Sequence, residues 1–255
     1  GFVAAMCGTA LAAQTKRLVL VHLLLGAGAL FGVIAMGSRG ALLGWLVFVF
    51  LLATMSRGRV RIVVQAGVTA LIAGGAVWFL HTTGILETPN VFHRVMTESG
   101  AVPLDSGRLA IWKGALHEIG AHPIFGQGPD AYERSGCCNR AARQPHNWVL
   151  QFLMEFGIAG LATAGFVAWR AVRVFGGIRT LTGRVGSSPV SAVMAAAIGA
   201  FLVFGLLDGL LYWPMPLLHF ALFCGLFGAG IHQGRVQGLQ TLEVAGLTNR
   251  LRPSM

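Results

Sequence analysis

Residues 57–80 read RGRVRIVVQAGVTALIAGGAVWFL. Arg57, Arg59 and Arg61 open the stretch, and from Ile62 to Leu80 no residue carries a charge. A helix rises 1.5 Å per residue, so about 20 apolar residues cross the roughly 30 Å hydrocarbon core of a bilayer. The run has that length. Basic residues collect in short cytoplasmic connections, so the three arginines also orient the run, with Ile62 at its cytoplasmic end.

Working outward, the same test marks Leu18–Met36, Ala41–Met55, Asn147–Trp169, Val190–Leu211 and Pro214–Ile231, six expected spans in all. The second is short, and Trp45 and Ser56 are expected to bring it to the interface. Residues Gly1 to Ala13 read as the tail of a longer apolar segment, as in the C-terminal part of a larger protein. Alternate connections carry Lys16 and Arg17; Arg57, Arg59 and Arg61; Arg170, Arg173, Arg179 and Arg184; and Arg235, Arg250 and Arg252. All fall on one side, the cytoplasmic one. The other side holds the Ser38–Gly40 turn, residues 81–145 and the Asp208–Pro216 corner. The expected fold is an all-α integral membrane protein, a multi-span helical bundle with one long extracytoplasmic loop containing a helix. Residues 1–80 are transmembrane helices, the first partial; 81–145 are the loop; 146–232 are transmembrane helices; 233–255 are a cytoplasmic tail.

Composition agrees. Hydrophobic residues make up 55% of the chain and charged residues 11%, with a mean hydropathy of +0.70. Soluble domains carry about 25% charged residues, so this chain has too little polar surface to face water. Its net charge is +10. The basic residues lie between apolar runs and form no patch, which argues against nucleic acid. Cys7 and Cys224 sit in apolar runs, while Cys137 and Cys138 are adjacent in the loop; neither arrangement has zinc-ligand spacing.

A 65-residue connection has structure of its own (145 − 81 + 1). Asp105 or Ser106 can cap a helix running to about Ala121, with Pro123 beyond its end. Leu109, Trp112, Leu116 and Ile119 are spaced as one apolar face, fit to lie on the membrane or on the bundle. Gly126-Gln127-Gly128-Pro129 is a turn, and Arg134, Arg140 and Arg143 fall in an irregular stretch. Pro145 suits the first turn of the next span, putting His146 and Asn147 at a helix start.

Three residues meet at the outer boundary by topology alone: Arg39 between two spans, Arg108 in the first turn of the loop helix, and His146 at the next span's start. Helix starts favour anions, and arginines add bidentate phosphate contacts. His146 can move a proton near neutral pH. The set suits a lipid diphosphate and requires no metal or cofactor. Plainer roles stand beside it: Arg39 can snorkel to lipid, Arg108 can pair with Asp105 or Glu118, and His146 can be a capping residue. Asp208 needs a partner near the membrane, an arginine of this set or water.

Ser38-Arg39-Gly40, Asp105-Ser106-Gly107-Arg108 with Trp112, Pro123, Gly126 and Gly128, then Pro145-His146-Asn147 with Gln151, Glu155 and Gly157, resemble the O-antigen ligase and polymerase superfamily. The resemblance covers about residues 30 to 170. It implies an inner-membrane glycosyltransferase of lipopolysaccharide biosynthesis, with residues 81–145 in the periplasm. The donor is a glycan on undecaprenyl diphosphate, and the acceptor is a hydroxyl of lipid A–core. The family's functional arginine, arginine and histidine map onto Arg39, Arg108 and His146; Arg39 and Arg108 would hold the diphosphate, with Asn147, Asp105 and Trp112 in support. Sister activities are the O-antigen polymerase and the protein O-oligosaccharyltransferase.

The leading class is therefore an inverting, metal-independent transferase, with the ligase ahead. A lipid-linked glycan transporter is the runner-up, and a structural subunit whose loop docks a partner is the third. Transport usually needs ionisable groups at the midplane and broken helices, whereas the charges here sit at one boundary. Cysteine-accessibility labelling checks the topology: positions within 81–145 react with an impermeant reagent from outside, and positions beside Arg59 do not. Outside labelling beside Arg59 overturns it.

Overall fold

The computed structural model describes residues 2–14, 19–56, 58–86, 108–136, 144–174, 189–208 and 217–229. Every regular element among them is a helix: α1 (Phe2–Gln14), α2 (Val19–Ala35), α3 (Arg39–Met55), α4 (Arg59–Thr82), α5 (Arg108–Ala121), α6 (Ala131–Ser135), α7 (Trp148–Val174), α8 (Pro189–Gly205) and α9 (Leu217–Ala229). Asp105, Ser106, Cys137, Cys138, Arg140, Arg143 and the 233–255 tail lie outside the described residues. α4 and the Trp148–Arg170 part of α7 are long and apolar enough to cross a membrane, and α2, α3, α8 and α9 are shorter apolar helices.

α1, α2, α3, α4, α8 and α9 share one core, built on Met6, Leu30, Phe48, Leu52, Val77, Phe201 and Phe223. Small residues allow the close contacts. A Cβ on Gly8 of α1 would stand 2.6 Å from the Cα of Gly26 in α2, so the two backbones touch there. Two buried hydroxyls here are satisfied locally: Thr9 Oγ1 donates to Ala5 O at 2.8 Å, and Thr69 Oγ1 to Gln65 O at 2.8 Å. Trp45 also differs from its expected interfacial place. It is 3% exposed, and its Nε1–H donates to Thr9 Oγ1 at 3.3 Å, because α1 packs over that face of α3.

The outward faces are apolar. Leu20, Leu25, Phe50, Leu71, Trp78 and Phe166 are each at least 60% exposed. Leaving a large apolar side chain in water forfeits about 1.5–3 kcal/mol, so such a surface belongs in lipid. This is a membrane protein.

A second cluster joins Ile111 and Ala115 of α5, Ala131 and Tyr132 of α6, and Met154 of α7. The face of α5 that packs here is not the expected one. Trp112 and Ile119 are partly buried, but Leu109 is 60% and Leu116 55% exposed, and Ile111 and Ala115 take the inner positions. Arg134 is also not in an irregular stretch; it lies in α6, and its Nη2 donates to Gln127 O at 2.6 Å.

α7 differs most from expectation. It is not one continuous helix but two segments meeting at Gly157, whose φ of 63° and ψ of −167° are open only to glycine. The chain from Pro123 to Gly128 straps across the break. Gln127 N–H donates to Met154 O at 2.8 Å and Gly128 N–H to Glu155 O at 2.9 Å. In return Ile158 N–H donates to Pro123 O at 2.9 Å and Ala159 N–H to Ile124 O at 3.0 Å. The approach leaves no room for side chains. A Cβ on Gly126 (φ +67°) would meet the carbonyl carbon of Glu155 at 2.6 Å, and one on Gly157 would run into the Ile124 carbonyl.

Gly126→Ala and Gly157→Ala therefore combine backbone strain of about 1–3 kcal/mol with a backbone clash that has no flexible side chain to yield. Thermal unfolding in detergent should show both well below wild type, with Gly67→Ala, where a Cβ meets nothing within 4 Å, near wild type. A Gly157→Ala protein as stable as wild type would contradict the strap geometry.

Candidate functional site

The C-terminal end of α8 is where the pieces meet. Gly40, in the first turn of α3, faces it: a Cβ there would touch Leu207 Cβ at 3.4 Å and the Phe204 ring at 3.6 Å. Trp148, the first residue of α7, donates its Nε1–H to Leu202 O at 3.0 Å. α5 joins through Trp112, whose Nε1–H donates to Pro145 O at 2.9 Å. Four chain positions distant in sequence are thereby held at one place: Arg39, Arg108, His146 and Asp208.

Arg39 is the first residue of α3, two residues earlier than the expected start, because Ser38 caps the helix by accepting from Ala41 N–H at 3.3 Å. Arg108 stands in the first turn of α5, as expected; the expected caps, Asp105 and Ser106, lie outside the described residues. Its partners are electrostatic. Burial lowers its pKa from the ordinary guanidinium range, Asp208 acts to raise it, and the neighbouring charge of Arg39 acts to lower it further. Arg108 thus lies in the field of both.

His146 was expected in the first helical turn. It sits instead just outside the helix, in the left-handed region at φ 51°. Asn147 is the capping residue, its Oδ1 accepting from Val149 N–H at 2.9 Å and Leu150 N–H at 3.2 Å. Pro145 stands clear of the helix too and is fully buried. A left-handed histidine between a buried proline and a capping asparagine is a costly turn, of the kind found at functional positions. It aims the imidazole at Asp208: Nδ1 lies 3.5 Å from Asp208 Oδ1, with the two side chains 32% and 40% exposed. That is ion-pair distance and longer than a well-formed hydrogen bond.

Of the residues singled out in the sequence, Arg39, Arg108 and His146 come together, Asn147 and Trp112 fix the His146 turn, and Asp105 lies outside the described residues. Asp208 is the addition. Its signal in the sequence was an acid at the end of an apolar run, with an arginine of this set or water as its expected partner; Asp208 does act on Arg108, and His146 is the partner that was not foreseen. Among the described residues no group of three or more histidine, cysteine or acidic side chains is placed to hold a metal ion.

Polar groups continue inward from His146. Gln127 Nε2 donates to Glu118 Oε2 at 3.1 Å, and Gln151 Nε2 to Glu155 Oε1 at 3.2 Å. Burial raises the pKa of Tyr132, so its hydroxyl keeps its proton at neutral pH. Replacing the cap tests the turn: Asn147→Ala should cost about 0.5–2 kcal/mol in thermal unfolding, and Asn147→Asp much less. Equal losses for both would mean that Asn147 does not hold the turn by capping.

The O-antigen ligase family model matches residues 19–165, more than half of the chain. The match takes in Arg39, Arg108 and His146 and stops short of Asp208. No curated protein and no solved structure matches. The chain belongs to the O-antigen ligase family.

Proposed function

We propose that this chain is an O-antigen ligase of the bacterial inner membrane, moving a glycan from undecaprenyl diphosphate to a sugar hydroxyl of lipid A–core at the periplasmic face. The observation that carries the reading is the gathering of two arginines, a histidine and an acid around the end of α8. A diphosphate leaving group gains negative charge as the glycosidic bond breaks. Arg39 and Arg108, at two helix starts, offer charge-assisted donors where that charge develops. Asp208, at ion-pair distance from His146 Nδ1, favours the imidazolium, and Nε2 is the base for the acceptor hydroxyl. The acceptor oxygen bonds to the anomeric carbon, the bond to the diphosphate oxygen breaks, and the proton goes to His146. The configuration inverts, and no metal takes part.

Packing supports a shared membrane side for the site. α3 and α7 begin, and α8 ends, at the same place, so α8 runs against both, as alternating spans require. In this reading α2, α3, α4, α7, α8 and α9 all cross the membrane and residues 81–145 form the periplasmic layer. Leu109, Leu116, Ile124 and Phe125 face outward from that layer, with Lys113 and His117 exposed on α5 beside them. Such a face suits the headgroup boundary, where the carrier's diphosphate also lies.

The break in α7 is a feature that transporters also use, to coordinate ions with freed backbone groups. Here Met154 O, Glu155 O, Ile158 N–H and Ala159 N–H are all taken by the strap. That favours a transferase.

Purified protein with a lipid-linked glycan and lipid A–core tests the reading. Arg39→Lys and Arg108→Lys should each lose roughly a hundred- to thousand-fold in turnover, since a point charge cannot reproduce a bidentate fork. His146→Ala should lose turnover while donor binding holds, and EDTA should change nothing. In cells, loss of the gene should leave polymerised glycan on its carrier. Accumulated single repeat units would instead mark a polymerase, and normal turnover by His146→Ala would end the mechanism.

A further inference from the structure

Three buried polar side chains lie beside His146 and outside the mechanism above. Gln144 is 6% exposed, Gln151 5% and Tyr132 5%. Gln144 Oε1, Gln151 Oε1 and the Tyr132 hydroxyl have no hydrogen-bond partner among the described residues. Buried polar groups in native proteins are nearly always paired, so three orphans in one neighbourhood call for a ligand.

They share that neighbourhood by packing. Tyr132 belongs to the cluster that includes Trp112 and Leu150, and Gln151 follows Leu150 in α7. Gln144 precedes Pro145, whose carbonyl is held by the Trp112 indole. Tyr132 thus sits in the cluster against which Trp112 and Leu150 pack, and Gln144 and Gln151 flank, on its two sides in the chain, the turn that presents His146. Gln151 is also fixed in direction. Its amide nitrogen must face the Glu155 carboxylate, to which it donates at 3.2 Å, so the orphan atom is the oxygen.

The chemistry narrows the ligand. An amide oxygen only accepts hydrogen bonds, so its partner must be a donor. A diphosphate offers acceptors alone, and a polyprenyl chain offers neither. Sugar hydroxyls offer both, matching two amide oxygens and a phenol that can donate or accept. On the reading of the chain as a glycan transferase, we propose that Gln144, Gln151 and Tyr132 form the subsite that holds the acceptor sugar, orienting its attacking hydroxyl toward His146. The site has to open to admit the sugar, and the irregular Gln144–His146 turn is the part of the wall not held in a helix.

The full-length protein in nanodiscs provides the test, through Gln144→Leu, Gln151→Leu and Tyr132→Phe. Each removes an orphan atom and keeps much of the shape. Two probes are bound without donor: rough-core lipopolysaccharide, and undecaprenyl diphosphate carrying a single repeat unit. Turnover is then measured against each as acceptor. For the glycolipid that wild type accepts, the variants should need about tenfold more acceptor for half-saturation, with donor dependence unchanged; thermal stability should hold in Gln144→Leu and Tyr132→Phe, while Gln151→Leu also loses its bond to Glu155 and should be less stable. Unchanged acceptor curves in folded variants would mean that the three groups hold ordered water only, and the subsite would fall. If wild type binds an acceptor through these residues yet transfers nothing from any lipid diphosphate, the transferase reading falls and the sugar site stands. Binding of neither glycolipid by wild type overturns the site.

Discussion

Four backbone hydrogen bonds between the Pro123–Gly128 strap and the two halves of α7 hold the outer layer to the bundle. Within a bilayer a broken helix is tolerable only where its freed N–H and C=O groups find partners in protein, since each unsatisfied group costs several kcal/mol. The strap supplies those partners in a reciprocal exchange, two bonds in each direction. It follows α5 directly and leads into α6, so docking it fixes both helices against the first segment of α7. That position sets where Arg108 stands. Glycines at 126 and 157 are the condition for the exchange, because either side chain would push the two backbones apart.

The same logic runs through the site. No element carries more than one of Arg39, Arg108, His146 and Asp208, so the constellation exists only while several contacts hold together. The Trp148 bond to Leu202 joins α7 to α8, and the Trp112 bond to Pro145 joins α5 to the turn before α7. Both indoles are half-buried donors that pair with main-chain carbonyls, a use suited to a site near a lipid boundary, where a carbonyl without water must be satisfied. Gly40 lets α3 close on α8 and brings Arg39 with it.

Much of this was legible in the sequence, for a physical reason. Lipid imposes one length and one composition on every helix that faces it, so the apolar runs announced α2, α3, α4, α7, α8 and α9 to within a few residues. The order of Arg39, Arg108 and His146 around the 81–145 segment carried the site. What escaped were features set by contacts. Gly157 reads as one more glycine in an apolar run, and nothing local says that its φ is positive; the strap 30 residues earlier decides that (157 − 127). The inner face of α5 was misread because Leu116 is larger than Ala115, while Leu109 and Ile111 are matched in size. Large-inside is a rule for proteins in water; beside lipid the larger side chains can face out. Trp45 was misplaced by a related habit, since tryptophan is common at membrane interfaces but here caps a helix contact. Asp208 drew notice as an acid near the membrane, yet one of its partners, His146, lies 62 positions away (208 − 146).

The electrostatic arrangement sets two like charges near one another. Among the described residues two guanidinium groups share the space with the Asp208 carboxylate, and Arg108 pays for its burial with a lowered pKa that Arg39 depresses further. Asp208 offsets part of this while standing 3.5 Å from His146, so one acid serves both an arginine and the histidine. A site left with excess positive charge in a partly desolvated place is stabilised by an anion, and most by the anion with the most charge. A departing diphosphate carries more negative charge than the same group still esterified to sugar. On the proposed reading, the arginines would favour the state after the bond begins to break over the state before it, which is the condition for lowering a barrier rather than merely holding a substrate. In the proposed reaction the proton would go to His146 in the same sense: Asp208, 3.5 Å from its Nδ1, favours the imidazolium, while the charge growing on the leaving diphosphate would offset that of Arg108.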